Sequence, residues 1–148
     1  MKTLVTWIVV IAIIVLVWTK GIPWWKAQHG GGSTSTNASS PAGECAAAAS
    51  AAGDTWGSGV GRFANPPYDL NGWDDFRSRV EQQARRAEEK CLCAETACTT
   101  AKSAMNDLRS LVAEMDTALR SGSPPPSDLV QRQEAIDNAI NSARDQAK

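Results

Sequence analysis

Apolar and small side chains recur on two heptad rows between Trp73 and Ser121. One row is Trp73, Val80, Ala87, Ala94, Ala101, Leu108 and Met115; the other is Ala84, Cys91, Cys98, Met105, Val112 and Leu119. Steps that alternate three and four place these positions on one seam of a helix, and a strict seven-residue repeat winds that seam around a partner. The forty-nine residues from 73 to 121 contain neither glycine nor proline. The pattern therefore predicts one continuous helix over 73–121, about 70 Å long. A rod of that length is too long for a buried core element and has to lie against something along most of its extent. Val80, Ala87, Cys91, Ala94, Cys98, Ala101, Met105, Leu108, Val112, Met115 and Leu119 are its predicted packing seam.

A second apolar stretch has a different character. Seventeen uncharged residues, Thr3 to Thr19, separate Lys2 from Lys20. As a helix they reach about 25 Å, slightly short of a hydrocarbon core of roughly 30 Å. Lys20 can snorkel, and Trp24 and Trp25 carry the apolar reach into the headgroups. Trp7, Trp18, Lys20, Trp24 and Trp25 are the predicted membrane-interface residues. A cleaved signal peptide also begins with a lysine and an apolar block. Here the block is long and bulky, and Trp25 stands two residues before Ala27, which makes a poor cleavage site. Residues 1–27 are therefore read as a single-pass anchor.

Residues 28–43, QHGGGSTSTNASSPAG, have the composition of a flexible linker. Residues 44–52, ECAAAASAA, predict a short helix of small side chains ended by Gly53, docked on the small face at Ala87, Cys91, Ala94, Cys98 and Ala101. Residues 53–72 hold Trp56, Phe63 and Tyr68 among glycines and prolines and predict an aromatic loop folded over the start of the rod. Asn71, followed by Asp74 and Asp75, is the expected amino-terminal cap. Gly122 and Pro124-Pro125-Pro126 stop the rod, and a last helix is expected over 127–147 with Leu129, Ile136, Ile140, Ala143 and Ala147 on one stripe. The fold class is all-α: one transmembrane helix, a flexible linker, then a long helix folded into a small hairpin or bundle.

Charge adds little. The net charge is -1, but residues 66–148 carry fourteen acids against eleven bases. No basic run could follow a phosphate backbone, so no nucleic-acid partner is expected. Acid–base pairs four apart, such as Asp75–Arg79, Glu81–Arg85, Asp116–Arg120 and Asp128–Arg132, read as a solvated helix face.

The cysteines matter more. Cys45, Cys91, Cys93 and Cys98 are disulfide candidates, their even number beside an export segment favouring an oxidised structural role. On a continuous helix Cys91–Cys98, Cys91–Cys93 and Cys93–Cys98 all fail on geometry. Cys45 can then reach one of the three, and the remaining thiols are free, bonded to another chain, or paired across a local break near residues 91–98. The spacing C-x-C-x4-C matches neither zinc nor iron–sulfur ligation, so no metal or cofactor is expected.

The one histidine, His29, lies in the linker. With no nucleophile–base pair and no phosphate loop, an enzyme and a small-molecule substrate are not expected. The expected role is a non-catalytic, membrane-anchored accessory or scaffold subunit. Its partners would be the lipid bilayer and a larger membrane complex: respiratory, photosynthetic, secretory or envelope. It would sit in the inner membrane with its helical domain in the periplasm. In layout, a short anchor followed by a long helix with cysteines resembles phage inner-membrane spanins, though the Gly/Ser linker and carboxy-terminal hairpin depart from them. That resemblance implies a disulfide-linked homodimer, with a self-assembling coiled-coil envelope protein as a related alternative.

Overall fold

The computed structural model describes residues 40–148, so the expected anchor with Trp7, Trp18, Lys20, Trp24 and Trp25, and most of the linker, lie outside the described residues. Four helices make up the described chain: α1 Pro41–Gly59, α2 Leu70–Lys90, α3 Thr96–Arg120 and α4 Leu129–Gln146. A 3-10 turn, Val60–Phe63, follows α1. Among the described residues there is no strand, and no helix is long and apolar enough to cross a membrane.

The contacts fix an up-down-up-down bundle. Cys45 meets Cys91 at one end of α1 and α2, while Trp56 meets Trp73 and Phe76 at the other. Across α2 and α3, Arg109 Nη1 donates to Glu88 at 3.1 Å and Trp73 Nε1 to Asp116 at 2.8 Å. Arg132 Nη2 bonds Glu114 at 3.0 Å and Thr100 Oγ1 bonds Gln146 at 3.4 Å between α3 and α4. Each pair is antiparallel, as short connections require. Helices α1 and α3 also touch, forming the inner diagonal between α2 and α4.

The expected rod over 73–121 is therefore corrected to two helices broken at residues 91–95. The partner its seam required is the chain itself. Every predicted seam position is buried except Ala94, which is exposed in the break. Folding the seam back lets α1 and α4 cover it, which satisfies the apolar rows without a second molecule.

Helix α1 is also longer than the predicted 44–52. Ser40 caps it, its Oγ accepting from Gly43 N at 3.0 Å, and Pro41 takes the first turn, where a missing N–H costs nothing. Gly53 does not end it. Gly53 faces Ile140, and Gly59 faces the Phe76 ring so closely that a β-carbon would collide with it. The buried face of α1 runs Ala42, Cys45, Ala46, Ala49, Ala52, Gly53, Trp56 and Gly59, a three-four spacing that sets small residues against the other helices.

Two ends differ in how they close. Asp69, rather than the expected Asn71, caps α2 by accepting from Gly72 N at 3.0 Å. Helix α3 ends in a Schellman turn: Ser123 N bonds Ala118 O at 2.9 Å, Gly122 N bonds Leu119 O at 3.1 Å, and Gly122 adopts φ +69°. On α4, Ile136, Ile140 and Ala143 are buried, with Leu129 and Ala147 packed at the edge.

Candidate functional site

Among the described residues no polar or charged side chain is buried. No group of three or more His, Cys, Asp or Glu is placed there to hold a metal. What the bundle offers chemically is concentrated at its two ends and on its charged outer faces.

One end carries all four cysteines. Cys45 on α1 pairs with Cys91 at the end of α2, with Cα atoms 4.7 Å apart, and Cys93 pairs with Cys98 at the start of α3, with Cα atoms 5.8 Å apart. No cysteine is left free. The second pairing is possible because the helix breaks between its members, so the elimination of Cys93–Cys98 on a continuous rod does not apply. Lys90 Nζ donates to Glu44 at 3.0 Å beside the first bond. Between the two bonds Leu92 projects outward and is 78% exposed, the most exposed of the large apolar side chains described. Val130, on α4 at the opposite end, is 70% exposed.

The other end is aromatic. Trp56, Phe63, Trp73 and Phe76 are each at most 3% exposed. Their ring centroids lie 5.2 to 6.4 Å apart in edge-on, tilted and stacked arrangements. Trp56 and Phe63 thus belong to a helix and a 3-10 turn rather than to a loose loop, and Tyr68 packs only at the rim. The Trp73 indole N–H reaches Asp116, but Trp56 Nε1 and Ser50 Oγ are buried with no partner.

A polar network ties this aromatic cluster to the surface. Asp116 accepts from Trp73 Nε1 at 2.8 Å and Arg120 Nε at 3.0 Å, and pairs with Arg77 at 3.1 Å. Arg120 also bonds Asp74. Desolvation pushes the Asp116 carboxyl up, but the hydrogen bonds from Trp73 and Arg120 and the charge of Arg77 together hold it below the ordinary aspartate range. Asp137 moves the opposite way, raised by desolvation and by nearby Asp54. Of the predicted four-apart pairs, Glu81–Arg85 and Asp116–Arg120 form at 3.7 and 3.0 Å. Arg132 turns instead to Glu114 on α3, and the hydrogen bond from its guanidinium is the main cause that holds the Glu114 carboxyl below its usual value. Such inter-helix pairs were not visible as spacings, because they join residues distant in sequence.

Comparison with protein-family models, with curated proteins and with solved structures returns no match to this chain.

Proposed function

We propose that the chain is a non-catalytic accessory or scaffold subunit. Residues 1–27 hold it in the cytoplasmic membrane, and its helical bundle sits on the extracytoplasmic side against a larger membrane protein complex. The observation that carries this reading is a bundle whose four cysteines all pair within the chain, preceded in sequence by seventeen uncharged residues and a Gly/Ser linker. Structural disulfides persist in oxidising compartments, and an apolar segment of that length is the means of crossing into one while staying anchored.

Among the described residues no ionisable side chain is buried, and in this reading the charged outer faces carry the role. Because the apolar seam is spent inside, a partner meets charged helix faces and isolated apolar tips such as Leu92 and Val130. The covalent homodimer implied by the spanin-like layout would need a cysteine that these pairings do not leave over.

The test is fractionation followed by native purification of the full chain. Alkaline washing should leave it in the membrane fraction, and deletion of residues 1–27 should release it. In mild detergent it should co-migrate with a larger assembly and show both disulfides on non-reducing peptide mapping. A soluble cytosolic chain with reduced cysteines, or a membrane chain that is monomeric under every native condition, would overturn the reading.

A further inference from the structure

The break between α2 and α3 is made without the residues that normally make one. Neither glycine nor proline occurs from 73 to 121, and Leu92, Ala94 and Glu95 are good helix formers. The start of α3 has no side-chain cap, whereas Ser40 caps α1 and Asp69 caps α2. The end of α2 lacks the left-handed glycine that closes α3 at Gly122. The heptad row also passes straight through the break in phase, as Val80, Ala87, Ala94, Ala101, Leu108 and Met115. Local sequence chemistry at 91–95 thus favours helix, and something else holds it open.

The Cys93–Cys98 bond spans the break. It holds these Cα atoms 5.8 Å apart. Residues five apart on an α-helix have Cα atoms roughly 8–9 Å apart, beyond disulfide reach. Closed bond and continuous helix exclude each other. The other disulfide is neutral in this respect, because Cys45 and Cys91 both belong to the α1–α2 half.

We infer that Cys93–Cys98 is a latch on a hinge, and that opening it lets residues 91–95 join α2 to α3 as one helix, so that two copies of this chain exchange halves. The α1–α2 unit of each copy then packs on the α3–α4 unit of the other. Straightening alone would strip the seam of its cover; exchange restores every buried contact with identical residues, which is why a second copy is the occupant. The latch is also the more accessible bond: Cys93 is partly exposed although Cys98 is buried, while Cys45 and Cys91 are both buried. Two electrons from a dithiol break the Sγ–Sγ bond, two protons complete the Cys93 and Cys98 thiols, and the dithiol leaves as its disulfide. This exchange is independent of the anchor and of any partner complex.

The experiment places a reporter across the hinge. The long side chains of Glu88 and Arg109 meet there at 3.1 Å, so cysteines at the two positions lie within the span of a bismaleimide, within one chain in the hairpin and between chains in the exchanged dimer. The Glu88→Cys, Arg109→Cys pair is crosslinked with a thiol-reactive bismaleimide in the full chain in detergent, with the latch intact and with Cys93→Ser, Cys98→Ser. Non-reducing gels should shift from monomer to covalent dimer when the latch is removed, with helical content by circular dichroism retained. Adding Ala94→Pro should return the crosslink to within the chain. A parallel sample keeps the native latch and opens it with dithiothreitol at a dose that peptide mapping shows to spare Cys45–Cys91. It is then crosslinked from Glu88 and Arg109, each replaced by cysteine, with a thiol-reactive bismaleimide, and should show the same shift. Crosslinks that stay within the chain, or loss of helix on opening by either route, would overturn the inference.

Discussion

The two ends of the bundle solve the same problem with different materials. At the aromatic end, Trp56, Phe63, Trp73 and Phe76 fill the space between helices, and no covalent bond is present there. At the cysteine end the buried residues include Ala42, Cys45, Ala46, Ala87, Cys91, Ala97, Cys98, Ala101 and Ala143. Aromatic side chains bury roughly 150–250 Å² each and gain further from edge-on pairing. An alanine methyl removes far less apolar area from water. Where the side chains are small, crosslinks hold the helices that area alone holds at the other end. The cysteine end is stabilised largely by what it denies the unfolded chain, the aromatic end by what it gains when folded.

That contrast can be broken at either end. Trp73→Ala should be the most damaging single change, about 3–5 kcal/mol by chemical denaturation, since it empties the centre of the aromatic cluster. If instead it costs less than about 1 kcal/mol, area does not hold that end. Replacing Cys45 and Cys91 together by alanine should cost about 4 kcal/mol, the loop-closure value for partners 46 residues apart. The loss should be local in amide exchange: protection should fall first over residues 41–50 and persist around Trp73 and Phe76. Uniform loss along all four helices would mean that the two ends act as one unit.

A smaller effect sharpens the picture through pH. Asp116 is held below the ordinary aspartate range in the folded bundle, so it binds its proton less readily there than in the unfolded chain. Its contribution is fully present at neutral pH and is lost as pH falls below about 4 toward its folded-state value. Asp116→Asn should cost on the order of 1 kcal/mol at neutral pH and flatten the acid limb of the stability profile. Denaturation midpoints from neutrality down to the acid limit would show it; an unchanged slope would remove Asp116 from the network that anchors Trp73.

How much of this was legible depended on whether the cause was local. The α4 stripe and the stop at Gly122 followed from periodicity and turn chemistry, and both rows of the seam face the core except at Ala94. The break at 91–95 did not follow, because no glycine or proline marks it and the crosslink that spans it joins residues five apart, a pairing that only a broken helix allows. The expected short helix stops at Gly53 because a glycine reads locally as a breaker. Gly53 and Gly59 are instead clearances for Ile140 and Phe76, residues far along the chain. The cap signal at Ser40-Pro41 was present and was absorbed into a run of linker-like residues. Of the polar contacts, two of the four expected four-apart pairs form, Glu81–Arg85 and Asp116–Arg120, while Asp75–Arg79 and Asp128–Arg132 do not; Arg132–Glu114 and Trp73–Asp116 needed the helices to be folded together first.

Four antiparallel helices bring the described residues back to the pole where they begin. Ser40 and Lys148 lie at the same pole, beside the cysteines, and the proline turn at 123–127 lies at the far one. A bulky fusion on Lys148 would therefore crowd the junction with the linker, while an epitope inserted at Pro125 would stand clear of it. Whoever labels this protein chooses, by that placement alone, which pole is left free to be touched.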